Sequence, residues 1–164
     1  MFDPEMSVHE LSENIEFLKM TGLNQHDARM TKKLRIEAGT PILEEYRNKN
    51  MIAGKLDINE LIYPYTWKYN DVESIYEVFS EWEKELINEI YKIQAATRGE
   101  IADESIRNEW RSDLGKIRSI EIEVLEKLTL SSLQGIDPQS IDLGYLTEKK
   151  QNQVQNLLNK IKET

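Results

Sequence analysis

The sequence predicts an all-α protein, a helical bundle of five or six helices built around a long antiparallel αα-hairpin over about 71–97 and 100–130. Three observations predict it. Apolar residues recur every three or four positions along most of the chain. Capping residues stand ahead of most such runs, and isolated glycines or prolines close them. The 164 residues fit one domain over 1–164. It divides into a short-helix part (1–62), an aromatic connector (63–70), the hairpin (71–130) and a loop with a C-terminal helix (131–164).

The first helix starts at Ser7, where Glu10 completes a capping box; Leu11, Ile15 and Leu18 share one face, and Gly22 stops it. Asn24 caps a predicted second helix that holds Ala28 and Leu34 and closes at Gly39. Thr40 and Pro41 open a third with Ile42, Leu43 and Tyr46 as its apolar residues, ending near Gly54. Leu56 and Leu61 flank a capping box of Asp57 and Glu60, which predicts a short helix stopping before Pro64. Tyr63, Tyr65, Trp67 and Tyr69 then alternate, the pattern that puts four aromatics on one side of an extended segment.

The hairpin carries the strongest periodic signal. Ile75, Phe79, Trp82, Leu86, Ile90 and Ile93 follow one another at steps of three or four, Gly99 interrupts, and Ala102, Ile106, Trp110, Leu114, Ile117, Val124 and Leu128 continue. Contact between the arms is expected through Trp82, Leu86, Trp110 and Leu114. Residues 129–146 read as a loop with one short turn. Thr147 caps a last helix whose face is Val154, Leu157, Leu158 and Ile161.

Composition removes several function classes. Without cysteine there are no disulfides, thiol nucleophiles, zinc fingers or iron–sulfur ligands, and two histidines make imidazole metal sites improbable. No apolar run reaches a membrane span, and the acidic N-terminus has no secretory h-region, so a cytoplasmic protein is expected. The net charge is −9, and residues 71–126 alone hold 15 acidic against 7 basic residues, so a general nucleic-acid footprint is absent.

Five sets of residues are candidates. Glu73, Glu77, Glu81, Glu85 and Glu89 recur every fourth residue, an acidic ladder in which like charges cost roughly 0.2–0.5 kcal/mol per pair and a basic partner would relieve them. Arg29, Lys32, Lys33 and Arg35 follow the turn at Gly22 and are the candidate nucleic-acid contact, as in a helix-turn-helix. Tyr63, Tyr65, Trp67 and Tyr69 are a candidate aromatic platform, the alternative being a connector laid over the core. Glu89 and Asp113 come to one level of the hairpin, but no Glu-x-x-His motif accompanies them. Glu100 and Asp103 resemble the ExxD of the second metal-binding helix of all-α nucleotide pyrophosphatases of the MazG and dimeric dUTPase kind. The ExxE that this family carries on the preceding helix reads Glu85 to Asn88 here, one ligand short, so the chain is not assigned to that family. No metal, cofactor or catalytic constellation is therefore expected. The leading expectation is a non-enzymatic assembly or adaptor module that binds a protein, basic by its charge preference, or its own copies. The alternatives are an accessory nucleic-acid-binding subunit or regulator, and an acidic inhibitor or immunity-type protein of a basic enzyme.

Overall fold

A computed structural model describes residues 2–25, 32–100 and 102–164, and in these the protein is a bundle of six α-helices with no β-sheet. They are α1 (Val8–Thr21), α2 (Pro41–Asn48), α3 (Asn70–Lys84), α4 (Ile87–Arg98), α5 (Glu104–Leu133) and α6 (Gly144–Glu163). Single 3-10 turns lie at Leu23–Gln25 and Pro138–Ser140.

The first helix forms as its caps dictate. The Ser7 hydroxyl accepts from the Glu10 amide, the Glu10 carboxylate accepts from the Ser7 amide at 2.7 Å, and Gly22 closes the helix at φ 68°. These bonds from Ser7 hold the Glu10 carboxyl below its usual range.

The predicted second helix is corrected. Its residues 26–31, including Ala28 and Arg29, lie outside the described part, and from Lys32 the chain runs extended. Lys33 bridges Phe2 and Glu37 bridges Ile62. The residues 33–37 alternate polar and apolar, so an extended chain turns Leu34 and Ile36 inward together, which a helix cannot do. Ile36 is fully buried beside Leu43 and Tyr46. The third helix ends at Asn48 rather than near Gly54, and Asn50 turns the chain at φ 56°. The short helix after Asp57 is also absent. Instead the Asp57 carboxylate accepts from the Asn59 and Glu60 amides, its own amide donates to the Ile62 carbonyl, and Leu61 sits exposed at φ 57°. An Asx turn has closed the segment before a helical turn can propagate, and the Leu56–Leu61 staple is lost.

The long hairpin is interrupted: its first arm is two helices, broken at Glu85 and Leu86. Packing explains the break. Val72, Ile75, Phe79 and Trp82 join a first core with Ile120, Val124, Leu125 and Leu128 of α5 and Leu11 and Ile15 of α1. Ile90, Ile93 and Ala96 join a second core with Trp110, Leu114 and Ile117 of α5 and Val154 and Leu157 of α6. One straight apolar stripe would not serve both. Trp82 and Trp110 consequently lie in different cores, and the expected contact of Trp82 with Trp110 and Leu114 is not made. At the Gly99 corner, Arg107 donates to the Gly99 carbonyl and Arg111 to the Thr97 carbonyl, capping the end of α4. Glu100 and Asp103 are exposed there and share no helix.

The helix α5 runs on to Leu133, shortening the predicted loop, and α6 begins at Gly144, before Thr147. Thr147 has another use: its hydroxyl accepts from the Trp82 indole N–H at 2.8 Å and donates to the Leu143 carbonyl. Beneath Trp82 lies a buried ionic group. Arg118 donates to both Glu121 oxygens at 3.1 and 2.9 Å, and the Lys150 ammonium stands 3.9 Å from Glu121 and 4.0 Å from the Trp82 ring centre.

Candidate functional site

A groove of about 430 Å³ lies between the aromatic connector and α3, and three of the five candidate sets meet in it. The connector contributes Tyr63, Tyr65 and Trp67, the ladder contributes Glu73 and Glu77, and the basic set contributes Lys33. Tyr76, one helical turn from Glu73, closes its inner wall.

Each side chain is set by its backbone. The connector is extended: the Tyr63 amide donates to the Ile36 carbonyl at 2.8 Å, and Tyr65 bridges Ile52. Alternation then turns Tyr63, Tyr65 and Trp67 to one side, as expected. Trp67 packs edge-on to Tyr65 and tilted on Tyr76, both at 5.6 Å between ring centres. The Tyr65 hydroxyl donates to the Leu34 carbonyl at 3.0 Å, and burial, then its negative neighbours, push its pKa up, so it stays a neutral donor. The fourth aromatic does not belong: Tyr69 is exposed beside Lys68, where the chain turns into α3.

The ladder is divided in the same way. Glu73 and Glu77 line the groove, and neither carboxylate makes a hydrogen bond or ion pair with a described residue. Glu81 points away and holds Lys84 at 2.9 Å, Glu85 sits in the helix break, and Glu89 lies in the first turn of α4. The five glutamates therefore do not make one continuous surface.

The basic set is dispersed, which corrects its placement on one helix. Lys33 lies 5.7 and 5.5 Å from the Tyr65 and Tyr76 ring centres, within cation–π range, with no carboxylate of the described residues at ion-pair distance. Arg35 pairs with Glu37 and Glu60 at 3.7 and 3.6 Å, and Lys32 stands 4.0 Å from Glu83. Arg29 lies outside the described residues.

Asp113 is claimed by Lys116 and Lys160, at 2.6 and 2.7 Å, so it pairs across α5 and α6 rather than with Glu89. No group of three or more metal-ligating side chains occurs among the described residues. The sequence reading misses two features. One is Tyr76, whose signal is its place one helical turn after Glu73. The other is the buried ionic group, whose signal is Lys150 standing four residues from both Leu146 and Val154, inside the apolar stripe of α6.

No family model and no curated protein matches the sequence. The fold is similar to part of the solved structure of OxsB, a cobalamin-dependent S-adenosylmethionine radical enzyme with aqua-cobalamin bound. The TM-score is 0.59 at 17% identity, over 99% of this chain and 31% of that one. At that identity the likeness concerns the fold alone. No helix among the described residues is long and apolar enough to cross a membrane.

Proposed function

We propose that the chain is a non-enzymatic helical module that binds another protein, with the groove between the connector and α3 as its contact surface. The observation that carries this reading is the convergence of ring faces and unpaired carboxylates in one open groove, from segments far apart in sequence. Aromatic rings with a polar rim are the composition of protein-binding surfaces. Phe17 and Met20, 57% and 88% exposed and one turn apart on α1, supply an apolar face on which the module packs against further surface or a second copy. The nucleic-acid alternative has less support, because Lys32, Lys33 and Arg35 each stand beside an internal partner instead of forming a stripe.

The test is a photo-crosslinking amino acid placed at Tyr63, against one at the exposed Tyr145 outside the groove. The expected result is capture of a polypeptide from position 63 only. Equal capture from both positions, or none, overturns the groove as the contact surface.

The fold likeness favours a second reading, in which the chain is a helical part working beside a cobalamin- or S-adenosylmethionine-dependent catalytic unit. The chain has no cysteine, so in that reading any iron–sulfur cluster is held elsewhere. Equilibrium dialysis against aqua-cobalamin separates the two: retention by the chain favours the second reading, and none favours the first.

A further inference from the structure

We infer that the groove recognises an arginine on an extended segment of the protein partner, and that Lys33 keeps that arginine's place until the partner arrives. The inference rests on the protein-binding reading above and names what is bound.

The first observation is where the Lys33 charge sits. A lysine in a half-buried position beside carboxylates commonly pairs with one, yet the Lys33 ammonium stands over the rings of Tyr65 and Tyr76, at 5.7 and 5.5 Å. Its bridge to Phe2 is a main-chain contact, so the rings and not the bridge hold the side chain. The second observation is the unspent negative charge on the same wall. Glu73 and Glu77, four residues apart on α3, face the groove and pair with no described cation, although Lys33 lines it too. Like charges at that spacing repel, and a cation between them removes the repulsion.

Together the two features describe one ligand chemistry: a flat cation that stacks on an aromatic face while its edge donates to carboxylates. Guanidinium meets both demands at once, whereas an ammonium, a compact point charge, can donate to the carboxylates but has no flat face to stack while it does so. Tyr63 already provides an example, since the Arg47 guanidinium lies 5.3 Å from its ring centre. An arginine carried on an extended segment would stack against Tyr65 and Trp67, donate to Glu73 and Glu77, and displace Lys33 towards solvent. Lys33 thus makes the groove less attractive to single cations and sets a threshold that a guanidinium passes.

The experiment is titration of the full chain with an end-blocked heptapeptide of alternating alanine and arginine and with its glutamine-for-arginine counterpart, by calorimetry. The expected result is binding of the arginine peptide about tenfold or more tighter than the counterpart, as expected for one stacked, carboxylate-paired guanidinium. Glu73→Gln with Glu77→Gln should erase that difference, Lys33→Met should tighten binding several-fold, and Glu81→Gln, on the same helix outside the groove, should leave it unchanged. Thermal melts of each variant confirm the fold. Equal binding of the two peptides, unaltered by the glutamate variants, overturns the arginine seat while leaving the groove a protein-binding surface. An effect of Glu81→Gln as large as that of the pair also overturns it, because the whole acidic field would then be responsible. No binding of either peptide, together with no crosslink from position 63, overturns both readings.

Discussion

The buried side chains whose charges must be answered from inside are the most consequential single residues. Arg118 and Glu121 are 3% and 1% exposed, and the Arg118 Nε and Nη2 have no hydrogen-bond partner among the described residues. Such a pair is weak evidence for net stability, but removing one member strands the other. Glu121→Leu should therefore lower unfolding free energy by about 3–5 kcal/mol in a denaturant titration. Adding Arg118→Met should recover much of the loss, and a double variant no better than the single would show that the pair carries no shared term. Asp113 illustrates a buried carboxylate answered by lysines that reach in from the surface. Burial alone would raise its carboxyl, but hydrogen bonds from Lys116 and Lys160 outweigh that and hold it below 3.8. A folded-state value below the unfolded one stabilises above the unfolded value and is lost as pH falls through the folded one. The melting temperature should thus fall as acid titrates the protein below pH 3.8, and Asp113→Asn should flatten that part of the decline.

The helices show how far periodicity reaches. The apolar stripe from Ile75 to Ile93 is legible in the sequence and is buried as predicted, but nothing local marks Leu86 as the place where it bends. The break follows from two cores that lie along different stretches of α5. Similarly, the helical reading of residues 32–39 fails because Phe2 and Tyr63, both distant in sequence, offer the backbone partners that hold the segment extended. Gly115 makes the point from the other side. A Cβ there would come 2.9 Å from the Gln25 carbonyl, so α5 carries a glycine in mid-helix where the turn after α1 presses on it. Gly115→Ala should destabilise the protein in thermal melts, even though alanine is the better helix former by about 1 kcal/mol. A stabilised variant would mean that the turn moves aside at no cost.

Across the whole molecule, stability should be uneven. The amides of residues 117–128 sit in the longest helix, against the first core and the end of the second. Residues 51–66 are held by isolated pairings, such as Ala53 to Pro64 and Thr66 to Met51, both 2.9 Å, over a small core of Ile36, Leu43 and Tyr46. Hydrogen exchange should accordingly be slower in 117–128 by on the order of a hundredfold or more. Comparable rates would mean that the two regions open as one cooperative unit. The groove borders the less protected region, where adjustment to a partner costs least.

The sequence by itself determined the helical class, the caps of α1, part of the buried faces of α5 and α6, and the one-sided alternation of Tyr63, Tyr65 and Trp67. Each depends on spacing of side chains within one element, and spacing is local. Tertiary structure decided that Lys33 meets Tyr65 and Tyr76, that only Glu73 and Glu77 of the ladder share a groove with them, and that Asp113 answers to Lys160. Those pairings depend on which distant segments supply the free backbone donors and the apolar area that each element must cover. That competition is resolved only when all the elements pack together.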